Sequence, residues 1–330
     1  MHLSVIIPYA GEHPHVIHTI ASVHHELDGR DIDYEIIAVD NHCPEFEAQG
    51  RLCPKVIEKG FRCQKLMDQG YVDRRSRESV DAAAGLHPWL KSLDYTERLC
   101  HWQAKNVGVR ASSGHLLWFC DAHCAVPRGV LWDMFRYYWL NHDRLDGSLH
   151  LANTYKLLEA KPNPYKLVNR LDQGFIGYAL TRWTYSVTPD GVIEVPAAST
   201  CGMMTTRALW DSLGGWPQKY AYGGGENFWN FVLATMGKKK WLWTRGFLRH
   251  QGEPRDYHYT GDGLVWNRCA AMLMVGGQAL AERYIRHCPG DPATLRAILE
   301  DVLSSCSLQR AQIAARQTIG INDWIKEWAC

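Results

Sequence analysis

The chain has 330 residues, 46% of them hydrophobic and 11% aromatic, enough to bury one large core or two ordinary ones without disulfide staples. Its 36 basic and 35 acidic side chains leave a net charge of +1, so total charge points to neither nucleic acid nor an anionic membrane as partner. No apolar run approaches the ~20 residues of a membrane span, the opening MHLSVIIPYA is too short for a signal peptide, and eleven scattered cysteines without a C-x-x-C pair read as reduced thiols. The expectation is a cytoplasmic protein.

The run LSVIIP, residues 3–8, is apolar, β-branched and stopped by proline, as in a strand buried on both faces. PHVIHTIASVHHEL then spaces Val16, Ile17, Ile20, Val23 and Leu27 as a helix does, with Pro14 in its first turn. YEIIAV repeats the strand signature and ends at Asp40. Strand, helix and strand in forty residues predict a βαβ unit and a parallel sheet.

Residues 41–96 are charged and glycine-punctuated, with one clear helical segment, RRSRESVDAAAGL. Cys43, Cys53 and Cys63, with His42 beside the first, form a weak zinc reading, because ten-residue spacing is not a knuckle pattern. ERLCHWQAKNVGVRASSG predicts a helix closed by Ser-Ser-Gly, and HLLWFC a strand running into Asp121. Beyond it come an aromatic helix at 130–140, strand-like runs at 149–158 and 175–187, a glycine-rich turn opening a helix near Glu226, and a strand leading to His250. The lysines at 238–240 read as a solvated turn, and the last 55 residues as two or three amphipathic helices.

In an open α/β sheet, ligands gather beyond the carboxyl ends of the strands, where Pro8, Tyr9, Ala10, Asp40 and Asp121 all fall. Asp121-Ala122-His123 has the form of a metal clamp, yet with 16 histidines roughly one Asp-x-His arises by chance, and two more occur at Asp40-Asn41-His42 and Asp256-Tyr257-His258. Its place after a buried strand separates it from the one at 256. Plainer readings make Asp121 a helix cap, His123 a satisfied core histidine, Cys120 and Cys124 packing residues, and Asp40 a turn aspartate.

Taken together, these segments resemble GT-A glycosyltransferases, particularly family 2 and the polypeptide N-acetylgalactosaminyltransferases of family 27, over roughly residues 3–260 with a gap at 44–96. LSVIIPYA and Thr19-Ile20-Ala21-Ser22-Val23 are similar to the family 2 opening, and EIIAVDN to its second strand, whose last aspartate contacts uracil or ribose. AKNVGVRASSGHLLWFCDAHC resembles the alanine-arginine-asparagine-x-glycine helix and metal strand, with Lys105 in the arginine's place before Asn106. DAHC is closest to family 27. STCGMMTTRALWDSLGGW, with Gly202, resembles the turn beneath the donor sugar, GGGEN the segment holding its hydroxyls, and FLRHQG the segment supplying the third metal ligand.

The resemblance implies an α/β GT-A fold, Rossmann-like, with a mostly parallel sheet flanked by helices. It implies a nucleotide-binding half at 1–125, a donor-sugar and acceptor half at 126–275, and a helical extension at 276–330. It implies a UDP-sugar donor and Mn²⁺ or Mg²⁺ held by Asp121, His123 and His250, with His258 the rival third ligand. Pro8, Tyr9, Ala10, Asp40, Lys105, Asn106, Asp121, Ala122, Gly202, Gly224 and Gly225 would line the nucleotide-sugar site. Glu226 and Asn227 would join Asp121 in catalysis.

Asparagine cannot take a proton, and the Glu226-Asn227 pair resembles the retaining family 27 arrangement, which implies retention, while Glu226 as base leaves inversion open. Gly223 and Trp229 depart from the family 27 pattern, so the donor pocket is expected to differ. The acceptor stays open among a glycan, a protein and a hydroxymethylated phage DNA base, recognised through residues 41–96 and the C-terminal helices. Trp102, Trp183 and Trp229 are either stacking platforms or core, and the tryptophans leave a homo-oligomer open. Rival functions are a nucleotide-sugar-forming nucleotidyltransferase, whose basic glycine-rich loop PYAGEHPHV lacks, and a non-catalytic nucleotide-sugar-binding protein.

Overall fold

The computed structural model describes residues 2–43, 75–154, 188–251 and 261–328, together with the backbone of two short strands between 169 and 176. The expectations for residues 44–74 and 155–187, including Trp183, and for His258 lie outside the described residues.

The chain opens with β1 (His2–Tyr9), α1 (His15–Leu27) and β2 (Asp33–Asp40). Strand β1 runs through Pro8 instead of stopping there, and pairs in parallel with β2 from His2 opposite Asp33 to Tyr9 opposite Asp40. Helix α2 (Arg75–Leu86) leads to β3 (Leu90–Asp94), parallel to β2. Helix α3 (His101–Ala111) starts four residues later than the sequence pattern suggests and leads to β4 (Leu116–Phe119), parallel to β1.

The second half is mixed. Strand β5 (Cys124–Ala125), helix α4 (Val130–Leu145) and β6 (Gly147–Asn153) follow. A separate two-stranded ladder joins β7 (Asn169–Arg170) and β8 (Phe175–Ile176). Next come β9 (Val192–Glu194), β10 (Met203–Thr206), α5 (Arg207–Leu213), α6 (Glu226–Thr235) and β11 (Lys239–His250). The main sheet runs β3-β2-β1-β4-β10-β6-β11-β5, with β9 on β11. Strand β10 lies antiparallel between β4 and β6, and β11 parallel to β6.

Both sheet faces are covered, which is why the strands read as continuous apolar runs. Leu3, Val5 and Ile7 of β1 pack with Val16 and Ile20 of α1 and with α4, whereas Ile6 turns to the other face against α3. That second face carries α6, α7 (Gly261–Arg286), α8 (Pro292–Ala314) and α9 (Ile321–Trp328) in one continuous core. Helix α7 is broken at Gly277, where φ is 71°.

Folding decides one open reading and changes another. Trp102 and Trp229 are core residues, 1% and 0% exposed, and with Trp210 and Trp216 form an aromatic cluster with ring centroids 4.8–6.0 Å apart. The lysines at 238–240 do not form a solvated turn. Lys239 and Lys240 open β11, and strand alternation turns Lys240 inward, where its ammonium donates to the Asn230 carbonyl at 3.1 Å and lies over the Trp324 ring at 4.9 Å. Burial pulls its pKa down to about 7.

Candidate active site

Parallel pairing sets Tyr9 level with Asp40, and Ile6 level with Phe119, so the carboxyl ends of β1, β2 and β4 open into one crevice. Antiparallel pairing of Met203 with Phe119 brings Thr200–Gly202 to the same edge. Gly202 has φ 80°, accessible to few side chains, and its N–H donates to the Phe119 carbonyl at 2.7 Å.

His250 reaches this crevice through a bulge in β11. Trp243 pairs with Leu151 but Phe247 with the very next residue, Ala152, so β11 takes in three additional residues and bends. Its last residues then pair antiparallel with β5, His250 opposite Cys124, and the Gln251 N–H donates to the His123 carbonyl at 3.0 Å. The Nε2 atoms of His123 and His250 stand 3.1 Å apart, and His250 Nε2 lies 3.4 Å from an Asp121 carboxylate oxygen. His250 therefore stands between Asp121 and His123, within reach of each, although 127 residues of chain separate the two histidines.

Glu12, which the sequence reading passed over, places its carboxylate 3.1 Å from His123 Nδ1. That partner assigns the Nδ1–H tautomer, leaving the Nε2 lone pair aimed at the cluster, as in carboxylate-oriented metal histidines. Glu12 also accepts the Ala10 N–H at 2.7 Å, tying the end of β1 to the same group. The loop itself is pinned by Thr19 of α1, whose hydroxyl lies 2.9 Å from the Ala122 carbonyl and 2.7 Å from that of Cys124, and accepts the Cys124 N–H at 3.0 Å. Ser22 accepts the Val126 N–H. The Thr-Ile-Ala-Ser-Val segment thus holds Asp121-Ala122-His123 in shape, and Ala122 contributes its backbone.

Burial opposes the charge on Asp121, yet Lys105 and the two imidazoles outweigh it and hold the carboxyl well below its ordinary range. Lys105 is 1% exposed, with its ammonium 3.6 Å from Asp121, 3.4 Å from the Thr200 hydroxyl and 4.9 Å from the Trp102 ring centroid. Asn106 faces elsewhere: its amide grips Trp216, donating to that carbonyl at 2.8 Å and accepting that N–H at 3.1 Å.

Gly225 and Glu226 open α6 above Trp102. A Cβ on Gly225 would sit 2.3 Å from the indole, so only glycine lets the helix start this close to the crevice; Gly224 precedes it with φ 67°. Asn227 is buried, and Glu226 is partly so. Burial raises the Glu226 pKa, with Lys105 opposing and Asp121 reinforcing, which places its charge in the field of both groups. At the far side Asp40 accepts the His42 N–H at 2.9 Å and pairs with Arg77 at 3.5 Å, while burial raises its pKa.

One carboxylate and two imidazoles, that of His123 anchored by Glu12, offer a mixed oxygen and nitrogen set that could hold a divalent cation. Cys201 stands beside them. A carboxylate oxygen of Asp121, Sγ of Cys201 and a ring nitrogen of His250 lie within 4.8 Å of one another. No short motif announces Cys201; only the pairing of β10 with β4 brings it here.

No protein-family model matches the chain, and no curated protein matches it in sequence. Among solved structures, GalNAc-T7 with UDP, GalNAc and Mn²⁺ superposes with a TM-score of 0.64 at 14% identity, covering 99% of this chain and 56% of that one. The chain therefore spans little more than half the length of that relative. The mannosyltransferase PcManGT from Pyrobaculum calidifontis, with GDP-Man and Mn²⁺, has a TM-score of 0.49 and 16% identity over 98% of this chain and 78% of that one. S. aureus TarS 1–349 with UDP-GlcNAc has 0.47 and 13% over 99% and 82%. Topology and the first superposition agree on the class: the chain has the GT-A fold, an α/β sheet flanked by helices.

Proposed function

We propose that the chain is a metal-dependent glycosyltransferase that moves a hexose or N-acetylhexosamine from a UDP-sugar to an acceptor, with retention of configuration. The observation that carries this reading is His250 at the carboxyl edge of the sheet, its Nε2 3.4 Å from Asp121 and 3.1 Å from His123 Nε2, with Glu12 fixing the His123 tautomer. GalNAc-T7, of the same fold, is seen with UDP and Mn²⁺.

In this reading Asp40 and the Tyr9–Ala10 edge take the nucleoside, and Asp121, His123 and His250 hold the divalent ion. When bound, that ion supplies Lewis-acid stabilisation of the departing diphosphate. Lys105 adds a fixed positive charge beside it, in a site where burial weakens screening. Gly202, Gly224 and Gly225 let backbone approach the donor sugar, and Glu226 and Asn227 hold its hydroxyls. Asn106 acts one step back, by fixing Trp216 against the ring of Trp102.

In this reading Asn227 has no carboxylate and Glu226 is engaged with the donor, so the departing diphosphate takes the acceptor proton on the face it leaves, which gives retention. A second reading is favoured by the upward shift of Glu226: a carboxylate of raised pKa is a better base, and an inverting reaction would use it. The anomeric configuration of the product decides between them. Residues 1–125 form the nucleotide half, 126–275 the sugar and acceptor half, and 276–330 a helical extension. Eight reduced cysteines among the described residues suit a cytoplasmic setting.

The test is UDP release from a panel of UDP-sugars with Mn²⁺, with and without chelator, comparing the native protein with Asp121→Ala. Turnover of one donor, lost in the variant and in chelator, supports the reading and names the sugar. Pyrophosphate release in place of UDP would move the protein to the nucleotidyltransferases, and binding without turnover to the non-catalytic binders.

A further inference from the structure

Three buried cysteines converge beside the crevice. Cys120 follows β4 directly, Cys124 lies in β5, and Cys201 sits in the turn before β10; they are 0%, 3% and 3% exposed. Their Sγ atoms all lie within 4.8 Å of one another, with Cys124 and Cys201 3.5 Å apart. Packing alone asks no such convergence from three segments, and Cys43, Cys269 and Cys306, equally buried, join no such cluster among the described residues.

We propose that Cys120, Cys124 and Cys201 form a second metal site, a trithiolate that takes a thiophilic d¹⁰ cation such as Zn²⁺ or Cd²⁺. A Zn–S bond of about 2.3 Å sets tetrahedral sulfur-to-sulfur spans near ~3.8 Å, inside the range these atoms already occupy, so side-chain rotations suffice to close the site. The backbone is already arranged for thiolate sulfur: the Asp121 N–H donates to Cys201 Sγ at 3.3 Å. Antiparallel pairing of β10 with β4 and of β11 with β5 fixes all three segments to the same sheet edge, so the ligands are preorganised. Binding releases thiol protons to solvent, leaves the sulfurs as thiolates, and involves no electron transfer.

The site is distinct from the clamp yet adjoins it, because Cys201 stands within reach of Asp121 and His250 as well. A soft ion held by the three sulfurs therefore draws on a group bordering the harder oxygen and nitrogen clamp. The consequence is a protein that sorts two classes of metal a few ångströms apart by ligand softness. The inference stands on these sulfurs and does not depend on the transferase reading.

The probe is Cd²⁺ alone, titrated into the full chain after chelator treatment and reduction, with the ultraviolet thiolate-to-cadmium charge-transfer band as readout. One equivalent should bind with the band of three thiolates, Cys120→Ala and Cys124→Ala should each weaken it at least tenfold, and His250→Ala should keep it. X-ray absorption at the cadmium edge of the native protein needs no variant and should count three sulfur ligands. Absence of the band, two or fewer sulfurs, or a band indifferent to Cys120→Ala and Cys124→Ala in variants whose circular dichroism is native would each overturn the site. Survival in both variants would assign the ion to thiols such as Cys53 and Cys63.

Discussion

The two ends of the same parallel sheet treat buried charge in opposite ways. At the amino end, Glu35 is enclosed by donors: the Ser4 hydroxyl at 2.7 Å, the Lys91 ammonium at 2.5 Å, and the Ser113 N–H and hydroxyl at 2.6 and 2.9 Å. At the carboxyl end, Asp121 has the Lys105 ammonium at 3.6 Å and His250 at 3.4 Å, His250 in turn faces His123, and a second carboxylate, Glu12, orients His123. The first arrangement is complete within the chain. The second sets imidazole and carboxylate lone pairs close together at the end where α/β sheets bind ligands, which is where the proposed function puts a divalent ion. A charged cluster is thus read for function by whether donors from the fold enclose every acceptor or acceptors also face one another.

The sharpest break of that contrast is His250→Ala against Glu35→Ala. Removing a ligand should cost more than the 10–100-fold typical of an outer partner, so Mn²⁺ affinity and Mn²⁺-dependent UDP release should fall at least ~10²-fold with little change in metal-free melting. Glu35→Ala should do the reverse, lowering stability by roughly 3 kcal/mol while Mn²⁺ affinity, read by electron paramagnetic resonance, holds. A variant at the amino end that abolishes metal binding, or one at the carboxyl end that only unfolds the protein, would erase the distinction.

The same contrast has a pH signature away from the metal ligands. Burial opposes the Glu35 charge, but Lys91, Ser113 and Ser4 overcome it and bring the pKa down to about 2. Its contribution is therefore full above its unfolded pKa near ~4.5 and lost as pH falls toward 2. His150, 0% exposed and hydrogen-bonded to the Ser199 carbonyl at 2.7 Å, is pulled down to about 4 by burial. The unfolded chain takes that proton first, near pH ~6.5, so stability falls between there and pH 4. Denaturant melts across pH should show the histidine window above the glutamate one. His150→Gln should flatten the upper window only, and a slope unchanged there would remove His150 as its source.

Glu12→Gln comes next in size. An orienting carboxylate typically contributes 10–100-fold in metal affinity, so Mn²⁺ binding should weaken by that factor with stability nearly unchanged. Glu12→Asp, one methylene shorter, should recover little. If Glu12→Gln bound Mn²⁺ as tightly as the native protein, the tautomer would be set by another group.

Much of this was legible before folding, for a physical reason. Strands covered on both faces must be apolar throughout, so β1, β2 and β4 declared themselves, and with them the edge carrying Tyr9, Asp40 and Asp121. Glu12 did not, because it lies in a loop and its partner is 111 residues away. Cys201 is no different from a packing cysteine until antiparallel pairing of β10 with β4 brings it to Asp121. Lys240 was misread because three lysines in a row suggest solvent, whereas strand alternation turns the last inward onto a carbonyl and an indole. Trp102 and Trp229 were open between platform and core, and the helices carrying them settle it by facing the core.

The smallest effect tests whether the scaffold and the site are separable at all. Thr19 belongs to α1, yet its one hydroxyl serves the backbone of Ala122 and Cys124, on either side of His123. Thr19→Val keeps the shape and strands those buried groups, so stability should fall by about 1–2 kcal/mol in denaturant melts. The same loosening lets His123 wander from its line with His250, so Mn²⁺ affinity should fall as well, by less than in Glu12→Gln, because the Glu12 bond still orients the ring. Thr19→Ser retains the hydroxyl and should restore most of both. Loss of stability with unchanged Mn²⁺ affinity would mean that β5 and β11 alone hold the histidines, and that α1 serves only the fold.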